Sequence, residues 1–514
     1  MRCRRAAVWC RRHQTAAVAI VAGTAFLVTM LVRLVGMNES LDVNDDEAYY
    51  RDIGVSVGSG GFPRYQGSLF LLHPPGFFYL EAGWQRLFGF RPDLVAGIYE
   101  MRALNVLLAG GTAAVLVLLV SRVRSLPAGA AAGVLFAVEP FIVRVNSHLL
   151  LETATLFWAM TGCLLLIPLT RRRRRPPWPY ARAVGAGLLL GLAILTKDEA
   201  ALITVLPLLL AAVLGWGARR PLLVAAGASL LPYSAYVVVL AANHHFHEYL
   251  DVKTGGLRRF VGVQQETGFN APGAPSLVNR LLMESPTYCV TYGLVLLGLV
   301  ALVKLLRRGS PAQRLIALFQ ASALVTIGYT FAFGTLEEQI LYLLLVPTVA
   351  SVTLAASPLA LRTGQPRALR QASSATVALL TLALVLSSTT YTMARTKTDD
   401  GYARLRAYMA ERVPAGSRIT VVGGPGVVLS DKYKVGAWLD PADRTANRVR
   451  YAVVVHQLVN QGYSNVTPAQ AQALAAQGTL LFSFDGPTFG PIELYRLPLL
   501  QALPTSQAAP IHDR

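Results

Sequence analysis

From residue 15 to residue 392 the chain repeats one pattern: an apolar run long enough to cross a bilayer, then a short polar break. A spanning helix needs about 20 consecutive apolar residues. Eleven such runs can be placed, centred near Val21, Leu108, Val134, Phe157, Leu189, Leu208, Ala228, Val295, Val325, Leu345 and Leu382. Residues 36 to 100 interrupt the series after the first run. They are too long for a tight turn and too mixed for a span. Within them "DEAYYRDIGVSV" and "PPGFFYLEAGWQRLFGF" show helical spacing with aromatic rims, the pattern of helices lying in a membrane interface. The loop over 243 to 285 mixes aromatics with Lys253, Arg258 and Arg259 in the same way.

After Met393 the pattern changes to short apolar runs broken by Gly, Pro and polar residues. A helix ("GYARLRAYMAERV"), two strands ("RITVVGG", "YAVVVH"), a helix ("TPAQAQALAAQ") and two strands ("TLLFSF", "IELYRL") follow in order, an α/β pattern. The "GGPG" after the first strand lacks the spacing of a phosphate loop and reads as a turn. The expected architecture is mainly α: a polytopic membrane helix bundle of about eleven transmembrane helices in residues 1–393, interfacial helices in a first outer loop over 36–100, and a small soluble C-terminal α/β domain over 394–514. The halves of the span series do not mirror each other, unlike many transporters.

Composition agrees with the pattern, since 54% of the 514 residues are hydrophobic and only 15% charged. The net charge of +19 would suit a nucleic-acid binder, but its location says otherwise. The segments "MRCRRAAVWCRR", "SRVRS", "TRRRRRPPWPYAR", "GARR", "KLLRRGSPAQR" and "LRTGQPRALR" carry nearly half of the 47 Lys+Arg and none of the 28 Asp+Glu. By the positive-inside rule they face the cytoplasm. The carboxylates then lie outside, with the N-terminus in and the C-terminal domain extracytoplasmic. A multi-pass plasma-membrane protein in contact with lipid, and not with nucleic acid, is expected. The four cysteines have no metal or disulfide spacing.

Acids outside the tail gather at outer span ends: Asp45, Asp46 and Glu47, then Glu139, Glu152, Asp198, Glu199, Glu337 and Glu338. Ionisable groups near a bilayer usually face a protein interior or a water-filled cavity, so several helices could aim acids into one cleft. The plainer alternative is solvated carboxylates favoured by helix N-termini. "VNSHLLLETATLFW" sets His148 and Glu152 four apart on one helical face, with Asn146 and Ser147 just outside. "FGTLEEQILYLLLVP" pairs Glu338 with Tyr342 four apart and places Gln339 one turn before Leu343, a structural cap of the tenth span being the competing reading. Lys197 stands at an outer span end against the positive-inside trend, either snorkelling or held for an anion. His244, His245, His247 and Glu248 have a spacing that could hold a metal but need none.

Outward carboxylates, interfacial helices and a few outward cations suit sugar transfer from a lipid-anchored phosphate donor. A carboxylate takes the proton of the attacking hydroxyl, and donors stabilise the departing phosphate. The stretches "DDEAYYRDIGVSVGSGGFPRYQGSLFLLHPPGFFYL", "HLLLETATLFW", "GLAILTKDEAAL" and "EEQILYLLLVP" resemble the integral-membrane glycosyltransferases of the GT-C class, in particular the branch of bacterial protein O-mannosyltransferases and lipid A aminoarabinose transferases. The resemblance implies a polyprenyl-phosphate-linked sugar as donor, an extracytoplasmic protein, lipid or glycan as acceptor, and inversion at the anomeric carbon. It makes Asp46 the general base and Glu47 an acidic neighbour binding substrate or metal. Glu152 matches a second acidic position. His73 stands where the aminoarabinose transferases have Lys, so Lys197, Arg258 or Arg259 would supply charge for the phosphate. His148, Glu338, Gln339 and Tyr342 complete the expected substrate contacts. Three adjacent acids could hold Mg²⁺ or Mn²⁺, or none. Two other readings stay open: a transporter or flippase of a lipid-linked sugar, and a non-catalytic envelope assembly protein.

Overall fold

The computed structural model describes residues 2–89, 91–170, 178–261, 277–332, 339–356, 382–424, 426–460 and 466–498. Helix α1 (Arg2–Leu34) leads into the first loop. That loop holds α2 (Asp45–Gly58), a two-stranded hairpin of β1 (Arg64–Tyr65) and β2 (Ser68–Leu69), and α3 (Gly76–Phe88). Then come α4 (Leu94–Val123), α5 (Leu126–Val138), α6 (Pro140–Ser147), α7 (Leu151–Leu166), α8 (Pro179–Thr196), α9 (Ala200–Val213), α10 (Arg219–Ala242) and α11 (Phe246–Phe260). The bundle ends with α12 (Leu277–Arg308), α13 (Pro311–Ala332), α14 (Ile340–Ala355) and α15 (Leu382–Ala394).

Among the described residues seven helices are long and apolar enough to cross a membrane, or eight if α5 and α6 form one bent span. The remaining apolar positions expected from the sequence fall on the shorter helices α9, α14 and α15. The α5–α6 bend of 61° has a local cause. Pro140 cannot continue α5, and Glu139 caps α6 by accepting from the Ile142 N–H at 2.7 Å. The carbonyls that α5 leaves open are taken by Arg33 at the end of α1, which donates to Phe136 O and Ala137 O at 3.1 Å each.

The tail comprises α16 (Gly401–Arg412), β3 (Arg418–Val422), β4 (Lys434–Gly436), α17 (Pro441–Ala446), β5 (Tyr451–Val455), α18 (His456–Asn460), α19 (Pro468–Ala476), β6 (Thr479–Gly486) and β7 (Gly490–Arg496). One sheet runs β4-β3-β5-β7-β6, parallel from β4 to β5 and antiparallel beyond. Every residue of β5 is buried, as the run "YAVVV" suggests for a central strand.

The tail does not float free of the bundle. Val43, Ala48, Leu94, Val95 and Ile98, from the first loop and the start of α4, share one apolar core with Tyr402, Leu405, Met409, Ile419, Val453 and Ile492. Polar contacts fix the same junction. The Tyr402 N–H donates to Asp42 Oδ2 at 3.1 Å, Arg406 reaches Asp93 at 3.2 Å, and Arg395 donates to Arg33 O at 2.9 Å. Gly36, at φ 61°, turns the chain out of α1 where a Cβ would strike Arg395 O.

Candidate active site

Helix α2 begins with a capping box: the Asp46 N–H donates to Asn44 Oδ1 at 3.1 Å, and the Asn44 N–H to Glu47 Oε2 at 3.0 Å. Three adjacent carboxylates therefore enter the first helical turn, and their directions diverge by about 100° per residue. Glu47 points inward. It is fully buried and accepts from Arg102 Nε at 2.8 Å, Arg102 Nη2 at 2.7 Å and the Leu149 N–H at 2.7 Å. Burial alone would raise its carboxyl, but the Arg102 charge and hydrogen bonds outweigh that and hold it below the ordinary range.

Asp46 points elsewhere, toward Gln339, whose Nε2 donates to Asp46 Oδ2 at 3.4 Å. Gln339 is the N-cap of α14, so the start of α14 abuts the start of α2. Asp45 turns to the tail, and burial pushes its carboxyl up to about 6. The three acids do not converge on one point, as a shared Mg²⁺ or Mn²⁺ would require. Among the described residues no group of three His, Cys, Asp or Glu side chains is placed to hold a metal ion.

The anchor beneath this turn is α4. Arg102 also donates to Met37 O, Leu41 O and Asp42 O, pinning the segment that leads into α2. One turn on, Asn105 donates to His148 O at 2.7 Å and Leu150 O at 2.9 Å. These bonds hold an extended link between α6 and α7, so His148 and Glu152 do not share a continuous helix, contrary to the expectation. His148 is buried with Nδ1 3.0 Å from Arg144 O.

Glu152, in the first turn of α7, is buried and accepts from Lys197 Nζ at 2.6 Å. Two residues read separately in the sequence are one buried ion pair. Tyr342 is fully buried, with Arg33, Asn146 and Glu152 as its polar neighbours. His73 lies 3.4 Å from Tyr50 Oη through Nε2. The turn that carries it sits on the end of α8, where a Cβ at Gly76 would lie 2.7 Å from Leu195 O. Lys253 of α11 clamps both parts, donating to Leu72 O at 2.8 Å and Asp198 Oδ2 at 2.5 Å. Arg258 is exposed. Glu337, Glu338 and the Arg259 side chain lie outside the described residues. His245 Nδ1 is 3.3 Å from Glu248 Oε2.

Sequence reading missed Arg102, Asn105 and Arg33. The available signal was a charged residue inside or at the wrong end of an apolar run: "YEMRALN" opens the second span and "LVRLVG" closes the first. A cavity of about 310 Å³ opens between α2, α3 and α4, lined by Arg51, Trp84, Phe88 and Arg91 among others. It contains none of the expected site residues.

No protein-family model and no curated protein sequence matches the chain. Solved structures do. The archaeal oligosaccharyltransferase AglB from Archaeoglobus fulgidus, in complex with an inhibitory peptide and a dolichol-phosphate, aligns over 93% of this chain and 74% of its own at 12% identity and a TM-score of 0.60. ArnT from Cupriavidus metallidurans, bound to undecaprenyl phosphate, aligns over 94% of this chain and 98% of its own at 14% identity and a TM-score of 0.57. The chain thus shares the fold of these GT-C glycosyltransferases, in agreement with the resemblance carried by the first-loop motifs.

Proposed function

We propose that this protein is a membrane glycosyltransferase that moves a sugar from a polyprenyl-phosphate donor to an acceptor hydroxyl on the extracytoplasmic side, with inversion. The observation that carries the reading is the first turn of α2. Asp46 is held at the start of a rigidly anchored helix, with Gln339 against its carboxylate, in a fold shared with proteins solved bound to lipid phosphates. Asp46 accepts the proton of the acceptor hydroxyl as its oxygen attacks the anomeric carbon. The bond from that carbon to the phosphate oxygen breaks, and polyprenyl phosphate leaves.

Glu47 takes no part in proton transfer in this scheme, because Arg102, Asn44 and Leu149 occupy its oxygens. It is a positioning residue. Glu152 and Lys197, with His73 across the Pro74–Gly76 turn, form the polar wall on the donor side. The basic loops put the N-terminus in the cytoplasm and the tail outside, where the tail roofs the first loop.

The test incubates the purified protein with a panel of polyprenyl-phosphate sugars labelled in the sugar, together with membrane extracts. Transfer of label to an extract component, with release of polyprenyl phosphate, is expected. Movement of intact donor across proteoliposomes without a new glycosidic bond would overturn the reading in favour of a flippase.

A further inference from the structure

The cavity between α2, α3 and α4 lies off the proposed proton path. Arg51, which α2 contributes to it, stands four residues after Glu47 and so on the Glu47 side of the helix, not the Asp46 side. The space is about 310 Å³, near the lower end of small-molecule sites, and its walls are fixed. Arg51 is buried and donates to Asp52 Oδ1 at 2.8 Å and to the carbonyls of Arg91 and Pro92 at 2.7 and 3.2 Å, which pins the link from α3 to α4. Gly97 of α4 admits that guanidinium, since a Cβ there would lie 2.9 Å from Arg51 Nε.

Two features of the lining suit a polar guest. Gln85 of α3 is half-buried, and among the described residues its Nε2 is bonded only to the Met101 sulfur, at 3.7 Å, a weak acceptor. At the mouth Arg91 and Glu100 pair at 2.6 Å with both side chains largely exposed. Such a pair contributes little by itself and opens readily to other partners.

The setting is a membrane surface. Beside the mouth Leu87 is 79% and Phe88 69% exposed, and Phe88 lies against Trp84 with ring centroids 4.3 Å apart. The end of α3 thus presents an aromatic and aliphatic rim of the kind found at head-group level. Deeper, α1 packs on α4 at Gly110, where a Cβ would lie 3.0 Å from Met30 Cγ. On these two helices Leu27, Leu31 and Leu34 form an exposed stripe, and Leu107 is exposed one turn on from Ala103 of the cavity lining. A polar cavity therefore tops an apolar seam.

We infer that this cavity binds the head group of a phospholipid carrying a phosphate and a primary ammonium, as phosphatidylethanolamine does, with its acyl chains along the α1–α4 seam. The phosphate accepts from Arg91 and from Gln85 Nε2, and the ammonium donates to Glu100. Charge favours this zwitterion. Asp52 neutralises Arg51, which leaves the lining one cation, Arg91, and one anion, Glu100. An anionic head group would set its phosphate against Glu100 with nothing to offset it, and a quaternary ammonium has no N–H to give that carboxylate. The site is separate from sugar transfer and stands whether or not the transferase reading holds.

The experiment takes full-length protein, delipidated in detergent, and counts retained lipid by native mass spectrometry. Phosphatidylethanolamine, phosphatidylglycerol and phosphatidylcholine with identical acyl chains compete at equal concentration. The wild type is expected to retain one phosphatidylethanolamine in preference to the other two. Arg91→Gln should weaken that retention by about tenfold or more, as losing a hydrogen bond to a charged partner does. Glu100→Gln should abolish the preference over phosphatidylglycerol. Both positions are exposed, and an unchanged thermal unfolding midpoint in lipid-free detergent shows that the variants fold. Equal retention of all three lipids, a wild-type preference for either of the other two, or a phosphatidylethanolamine preference that either variant leaves untouched overturns the inference. So does displacement of the lipid by water-soluble glycerophosphoethanolamine at matched concentration, which would make the cavity a site for free solutes.

Discussion

Arg102 meets Glu47 through two parallel hydrogen bonds, Nε to Oε1 at 2.8 Å and Nη2 to Oε2 at 2.7 Å, with neither side chain exposed. The same carboxylate caps α2 and receives the Leu149 N–H. One pair thus ties α4, the α6–α7 link and the helix that carries Asp46.

Arg102→Leu would leave Glu47 as an uncompensated buried charge. The expected cost is about 3–5 kcal/mol of stability, as for other broken buried pairs. Glu47→Gln combined with Arg102→Gln should recover a large part of it, because the two changes act on one interaction. Thermal unfolding in detergent checks this. Single effects that simply add in the double variant would mean the pair is not the lock described.

Asp46→Asn should lower sugar transfer by about 10²–10⁴-fold, the range lost with a general base. Expression and unfolding midpoint should stay as in the wild type, since Asp46 is only half-buried and Asn keeps its shape. Wild-type turnover in this variant, measured as labelled sugar reaching the acceptor, would remove Asp46 from the mechanism.

The fold was legible because its signals are periodic. Apolar runs, basic loops and the alternation in the tail each repeat or persist over many residues, and among the described residues each has a helix or strand at its place, although only seven or eight of the eleven expected spans have membrane length. The site was legible as residue types and not as partners. "VNSHLLLE" scans as one helix, yet Asn105, some forty residues upstream, pulls the His148 and Leu150 carbonyls into an extended link. Glu152 and Lys197 both stood out by location, but nothing local says that they pair. Asp45, Asp46 and Glu47 differ only in angle around a helix, and which angle faces Arg102, Gln339 or the tail is decided by tertiary packing. The sharing of one core by the first loop and the tail was likewise invisible, because each segment reads as self-contained.

The Glu152–Lys197 pair, at 2.6 Å and almost fully buried, separates a structural from a functional role by charge exchange. Lys197→Met alone should destabilise strongly by stranding Glu152. Glu152→Lys with Lys197→Glu should restore much of the unfolding midpoint while leaving sugar transfer impaired, since the scheme proposed above sets the pair on the donor side and the exchange reverses its polarity. Full activity in the exchanged protein would make the pair a structural strut only.

Asp42 links pH to the junction between tail and first loop. Burial is the main cause that raises its carboxyl from the usual 3.8 to about 7, with Asp399 adding to it. The folded form therefore holds the proton more tightly than the unfolded form. Its stabilising contribution is complete below the unfolded value and is lost as pH rises through about 7. Asp42→Asn keeps an oxygen for the Val43 and Tyr402 N–H groups but does not titrate. Its unfolding midpoint should match the wild type near pH 4 and exceed it progressively toward pH 8. A difference that does not change with pH would exclude this linkage.

Glu81 of α3 makes the opposite kind of statement to Glu47. It is fully buried, neither carboxyl oxygen has a hydrogen-bond partner among the described residues, and burial holds its proton on well above the ordinary carboxyl range despite the charge of Arg51. An unsatisfied buried polar group costs about 1–3 kcal/mol. Glu81→Met, which fills similar space without polar atoms, should therefore stabilise the protein by about 1 kcal/mol. The advantage should widen as pH rises above the unfolded value, because only the wild type must then take up a proton to fold. Gly54 packs against the same side chain, and a Cβ there would lie 2.7 Å from Glu81 Oε2. Gly54→Ala should destabilise by about 1–3 kcal/mol through overpacking, and Glu81→Ala in the same chain should relieve it. Unfolding midpoints at pH 5 and pH 8 for the four proteins decide the matter. A Glu81→Met variant that is less stable than the wild type at both values would mean that the carboxyl has a partner, and that α2 and α3 are held by it and not merely in contact.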